Sequence, residues 1–329
     1  MVRRALRVTL WILAWIIALA CAAWAFGALL YDFPVGKSVV GWLFVGLLLV
    51  AIFFLRGAVK KIGAVLVGFA LVLGWWLTLK PSNEGNWLPD VAETAWAEAN
   101  GDEIIFHNVR NCDYRTETDY TPHWETRTVR LSQVTGVDLA INYWGSPLIA
   151  HPIASFQFAD APPLCFSIET RKQVGQTYSA IGGLYRQFAL IYIVADERDV
   201  VRLRTNYRKD EDVYLYRTTV PLDRARQRLL EYVKSLNTLH QQPRWYNALT
   251  TNCTTSIRSQ HPGKERIPWD WRILLNGKAD EMLYEQGAIV TGGLPFPELK
   301  QRSLIDERAK AADKDPEFST RIRERLPAR

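Results

Sequence analysis

The stretch YNALTTNCTTSIR, residues 246–258, sets Cys253 directly behind Thr251 and Asn252, either of which can cap a helix. A thiol in a first helical turn feels the positive end of the helix and its unpaired backbone N–H groups, which lower its pKa and favour the thiolate. The same N–H groups can hold the oxyanion of a tetrahedral intermediate, with Asn252 helping to shape that site. These are the features of a nucleophile for acyl transfer. The bland alternative is a small buried cysteine that only packs, and spacing alone leaves it open.

A thiol nucleophile needs a base, and the chain has five histidines. His240 and His261 flank the Cys253 region, and His107 and His123 fall on early strands. His151 opens the strand HPIASFQF, a rigid platform from which a ring can face the Cys253 helix. On the neighbouring strand, SIETR (167–171), period-2 alternation puts Glu169 and Arg171 on one face. Glu169 is the candidate to orient the imidazole and Arg171 the candidate to bind substrate. The charged runs at 195–199 and 202–208 read as solvated turns at strand ends. No two histidines have zinc-ligand spacing and no glycine-rich phosphate loop precedes a helix, so no metal and no cofactor are expected.

The elements that must position these residues are mostly strands. Alternation predicts them at 102–115, 126–131, 136–143, 151–158, 164–171, 188–195, 200–203 and 213–217. Asp160, Ala161, Pro162 and Pro163 turn the fourth into the fifth. Pro221 starts an amphipathic helix over 221–239, and a second helix is expected from Asn252. The expected domain spans 95–300, and 301–329 reads as a charged tail, either a surface helix or disordered.

Ahead of that domain, residues 1–81 carry eight basic side chains and one acidic, Asp32, a balance of +7, while the remainder carries −1 of the chain's net +6. The basic balance is therefore a membrane-flank effect and gives no support to nucleic-acid binding. Spans at 8–30, 39–55 and 62–79 are long and apolar enough to cross a bilayer core of about 30 Å. The first continues nine residues past Cys21, too far for a cleaved signal peptide. Arg3, Arg4 and Arg7, with Arg56, Lys60 and Lys61, outweigh Lys37 and Lys80 on the opposite flanks. By the positive-inside rule the chain starts in the cytoplasm, and three crossings put the domain outside. The linker 82–94 follows directly; the stretch PSNEGNWLPD, from Pro81 to Asp90, spans at most about 33 Å, so the domain is expected close to the lipid. Cys112, Cys165 and Cys253 make an odd number outside, leaving at least one thiol unpaired within a monomer; Cys112 is expected in the core.

The stretches FHNVRNCDYR (106–115), AHPIASFQF (150–158), the run from Ser167 to Arg208 and NALTTNCTTSIR (247–258) resemble the DUF4105 family. That family is also described as the Lnb N-terminal periplasmic domain, after a bacterial lipoprotein N-acyltransferase, and the resemblance covers about residues 95–300. It implies an α+β protein in which an antiparallel-sheet domain has a papain-like, permuted NlpC/P60-type thiol fold. In that arrangement the histidine strand precedes a cysteine-bearing helix, as in the similar lecithin:retinol acyltransferases, making His151 and Cys253 the dyad. It further implies a domain on the periplasmic side of the inner membrane, acting on acyl groups of envelope lipid or lipoprotein, with inner-membrane lipids as partners. This chain departs from the acyltransferase in placing three apolar helices before the domain. A cell-wall peptidase or amidase, and a non-catalytic envelope module that binds lipid or protein, are the alternative expectations.

Overall fold

Three apolar helices, α1 (Val2–Asp32), α2 (Lys37–Phe54) and α3 (Ala58–Thr78), open the fold of a computed structural model that describes residues 2–250, 272 and 276–329. Each is long and apolar enough to cross a membrane. At about 1.5 Å per residue even α2 extends about 27 Å. Pro34, which cannot continue a helix, and Gly36, at φ 64°, break the chain between α1 and α2. Ala25, Ala28, Leu29 and Val72 form the bundle's buried centre, with Trp24, Phe44 and Phe69 against it. Small residues there let the helices approach closely.

The chain divides into two compact units: Met1–Ser82 with Tyr178–Ala189 and Trp245–Ala248, and Asn83–Thr177 with Leu190–Arg244 and Leu249–Arg329. The second contains most of the strands β1 (Trp96–Asn100), β2 (Glu103–Arg110), β3 (Asp113–Tyr114), β4 (Tyr120–Thr121), β5 (Trp124–Arg130), β6 (Val134–Trp144), β7 (Ala150–Phe158), β8 (Leu164–Arg171), β9 (Ala189–Asp196) and β10 (Glu211–Arg217). An eight-stranded sheet runs in the order β1-β2-β9-β8-β7-β6-β10, with β5 paired to β2, while β3 and β4 form a separate ribbon. The α+β class expected from the sequence is what the structure shows. The sheet, however, is mixed rather than purely antiparallel, because β2 and β9 run parallel.

Helix α5 (Leu222–Gln241) covers one face. Its Tyr232 ring meets Phe156 at 5.8 Å and Phe166 at 4.7 Å between centroids. On the other face Ala140, Ile153, Cys165, Ile191 and Ile193 pack under Val200 and Val201.

Two sequence expectations fail on that second face. Residues 200–203 are not a strand. Asp196 caps α4 (Glu197–Arg202), accepting a hydrogen bond from the Arg198 N–H at 2.8 Å, and a π-helical turn, Leu203–Tyr207, follows. Glu197, Asp199, Arg202 and Arg204 are buried there, so the charged runs are not solvated turns. The C-terminal segment is likewise no loose tail. Past α6 (Ala279–Glu285) and α7 (Phe296–Ser303), the short helices α8 (Asp306–Ala311) and α9 (Phe318–Arg321) bring Ile305, Ala309, Phe318, Ile322 and Leu326 into the same core. These apolar residues are spaced widely among charges, which hides them from a compositional reading.

Candidate functional site

His151 is the second residue of β7, and its place follows from strand register. It pairs with Asn142 on β6, while Ile153 pairs with Ser167 on β8. Continued by two pairs, the β7–β8 register sets Glu169 opposite His151. Side chains two residues apart share a face, so Ser167 and Glu169 both flank the ring. The His151 Nε2 lies 2.7 Å from the Ser167 Oγ, and that hydroxyl donates to Glu169 Oε1 at 2.6 Å. Glu169 Oε1 is 3.9 Å from Nε2 itself. The carboxylate thus reaches the ring through the serine hydroxyl.

Proton counting along this chain assigns the tautomer. A hydroxyl has one proton; Ser167 gives its own to Glu169 and must accept from Nε2–H. Nδ1 then carries the free lone pair. Beyond Glu169, Arg204 Nη2 donates to Oε1 at 2.9 Å. Burial works against the Glu169 charge, but the guanidinium of Arg204, with Arg110 farther off, holds its carboxyl well below the usual range. Burial, reinforced by the guanidinium of Arg204, pushes the His151 imidazole down to about 3 despite Glu169 nearby. At neutral pH the pair is a neutral imidazole wired to an ionised carboxylate. Trp144 stands edge-on to the ring at 6.4 Å. The Asn276 side-chain oxygen accepts the Ala150 N–H at 2.8 Å, fixing the start of β7.

Not every predicted site residue joins this group. Arg171 shares the strand face of Glu169 but is engaged elsewhere. Its Nε donates to Val91 O at 2.9 Å, its Nη1 to Asn83 Oδ1 at 3.1 Å and its Nη2 to Ala92 O at 2.5 Å. Its guanidinium lies 4.3 Å over the Trp87 ring. All three nitrogens therefore clamp the segment that precedes β1. Cys253, Asn252 and the helix expected around them lie outside the described residues, as does His261. His240 binds Thr94 at 2.7 Å, and His107 stacks on Trp96 and binds Glu98 at 3.0 Å. Among the described residues no three His, Cys, Asp or Glu side chains converge to hold a metal ion.

Ser167 and Arg204 were missed in the sequence. Strand alternation in SIETR carries the signal for Ser167, two residues before Glu169. For Arg204 the signal is the Asp196 cap ahead of Val200, Val201 and Leu203. Cys112 and Cys165 are buried free thiols; burial pushes Cys112 up to about 12 and Cys165 well above the thiol range. Two polar atoms close to this network, Asn142 Oδ1 and Arg204 Nε, are buried without a partner among the described residues. Buried polar atoms are normally satisfied, so they mark unmet hydrogen-bonding demand.

The family model of the Lnb N-terminal periplasmic domain matches residues 120–277, a range containing His151, Ser167, Glu169, Arg204 and Cys253. No curated protein and no solved structure matches the chain.

Proposed function

We propose that this chain, which belongs to the Lnb N-terminal periplasmic domain family and carries three apolar membrane helices, is a Cys–His acyltransferase or hydrolase working through a thioester. The observation that carries the proposal is the chain His151–Ser167–Glu169–Arg204, which holds a neutral imidazole with Nδ1 free to accept a proton. A half-buried carboxylate backed by Arg204 lies behind the ring, where it can compensate a developing imidazolium. The proposal includes a permuted papain-like arrangement, in which the Cys253 helix presents its thiol to Nδ1. It also places the chain's start in the cytoplasm and the domain on the periplasmic face of the inner membrane, following the basic flanks of α1 and the α2–α3 turn.

In this mechanism Nδ1 takes the Cys253 thiol proton as sulfur attacks the carbonyl of an acyl lipid or acylated lipoprotein. The resulting imidazolium is compensated by Glu169 through Ser167, which its low proton affinity at rest makes necessary. Collapse of the tetrahedral intermediate breaks the bond to the leaving group. That group takes the proton from His151, and the acyl chain remains on sulfur. An amine or water, deprotonated by the same imidazole, then attacks the thioester, and the thiol is restored. Asn252 and backbone N–H groups near Cys253 serve the oxyanion.

Intact-mass analysis of the full chain, supplied with phospholipid and acylated lipoprotein, tests this. The expected result is one acyl group on Cys253, removable by hydroxylamine, absent in Cys253→Ser and strongly reduced in His151→Ala. An unmodified Cys253 in wild-type protein, or acylation equally fast in His151→Ala, removes the thioester mechanism.

A further inference from the structure

Residues Tyr178–Ala189 belong to the same compact unit as the three apolar helices, far though they are in sequence. Their attachment is specific. Tyr185 stacks on Tyr31 of α1 at 5.3 Å between centroids and lies 6.2 Å from Trp24. Its hydroxyl occupies the place a Cβ on Gly27 would take, 1.9 Å from that ideal position, so only glycine admits it. Gly27 sits five residues before the end of α1, about 7–8 Å along the helix. Arg186 closes the joint. Its N–H donates to Asp32 Oδ2 at 3.0 Å, its Nη1 donates to Leu79 O at 2.7 Å, and its guanidinium lies 3.9 Å over the Trp76 ring. Trp76 Nε1 donates to the same Asp32 carboxylate at 2.6 Å.

This joint fixes the depth of the segment. Trp24, Tyr31, Phe33, Trp75, Trp76 and Tyr185 gather at one end of the bundle, the arrangement that marks a membrane–water boundary. Just before Tyr185 the chain makes a tight turn, with Gly183 N donating to Ser179 O at 2.8 Å and Leu184 N to Ile181 O at 3.0 Å. That turn leaves Tyr178, Ile181 and Leu184 exposed by 46%, 61% and 38%. Across 178–189 the only charge is Arg186, already committed. An apolar, uncharged turn held at the level of an aromatic belt has the chemistry of a lipid contact.

We propose that residues 178–184 are an interfacial element whose Tyr178, Ile181 and Leu184 insert among the lipids of the leaflet at the Asp32 end of α1. The bundle alone would anchor the chain by crossing the membrane; this turn adds a contact lying along its surface. The inference stands independently of the catalytic reading.

The test places a photo-crosslinking benzoylphenylalanine at Ile181 or Leu184 of the full chain in vesicles of phosphatidylethanolamine and phosphatidylglycerol. The same probe at exposed Ile16 in α1 is the lipid-facing control, and at exposed Leu230 in α5 the comparison site. Lipid adducts at 181 and 184 are expected near the yield at 16 and about tenfold above that at 230, a ratio equal to ~1.4 kcal/mol. Lipid yields at both positions no higher than at 230 overturn the proposal. So do adducts only to protein, which would indicate a partner or a second copy on this turn.

Discussion

On the α5 side of the sheet, Phe156, Phe166 and Tyr232 meet ring to ring, and Ile168 and Ile141 are buried. On the opposite side the same strands contribute Asp138, Asn142, His151, Ser155, Ser167 and Arg171, all buried. There Arg323 binds Asp138 at 2.7 Å and Glu197 at 2.8 Å, and Arg110 binds Asp199 at 2.7 Å. An apolar face asks only for volume and shape, and similar side chains substitute for one another. A face of buried charges demands each partner by name, because desolvated ions repay their cost only when fully paired. The site grows out of the second kind of face: its polar residues already specify one arrangement, and the His151 chain is one branch of it.

Isosteric substitutions sharpen this contrast most. Glu197→Gln keeps the shape but removes one of the two carboxylate charges that compensate buried Arg323, and is expected to cost about 3–5 kcal/mol in chemical denaturation. Equal tolerance of Glu197→Gln and a conservative change on the α5 side would erase the difference between the faces.

Acid titration comes next. The unfolded His151 protonates near 6.5, the folded one only near 3. Because the folded value is depressed, the unfolded state binds the proton first as pH falls. This group's contribution is then complete above about pH 6.5 and lost progressively toward pH 3. At about 1.4 kcal/mol per unit, wild type should lose about 2 kcal/mol more than His151→Gln between pH 6.5 and 4.5. The Glu169 carboxyl, held low, responds below that window. Parallel pH profiles for the two proteins would place His151 outside the buried network.

The smallest effect belongs to the apolar face. Ile168→Val removes one buried methylene and should cost about 0.5–1.5 kcal/mol by urea denaturation, with any activity of the wild type unchanged. A loss of activity there would mean that the site depends on both faces.

How far the sequence foretold these faces follows from local patterning. The three membrane helices were legible because unbroken apolar length has few other uses. His151 and Glu169 were legible as a pair because alternation and a hairpin turn set β7 beside β8. Ser167 escaped because a serine on a strand carries no charge to notice, although its spacing from Glu169 was visible. Arg204 escaped because a charged run reads as solvated until the strands that bury it are assembled. The C-terminal segment escaped for the same reason: Arg323 and Arg329 look like surface charges until Asp138 comes to meet them. Arg171 was placed on the right face, but its carbonyl partners at Val91 and Ala92 come from a segment 79–80 residues earlier in the chain.

The account turns on His151 serving the Cys253 thiol from the polar face. The most direct measurement is the alkylation rate of Cys253 in folded full-length protein near neutral pH, read by peptide mass for each cysteine. Cys253 should react faster than buried Cys112 and Cys165 in wild type, and slow about tenfold or more in His151→Ala, the range expected when a positioned base is removed. Ser167→Ala should fall between the two, since it frees the ring without deleting it. A Cys253 rate unchanged by His151→Ala, or no faster than that of Cys112, would contradict the account.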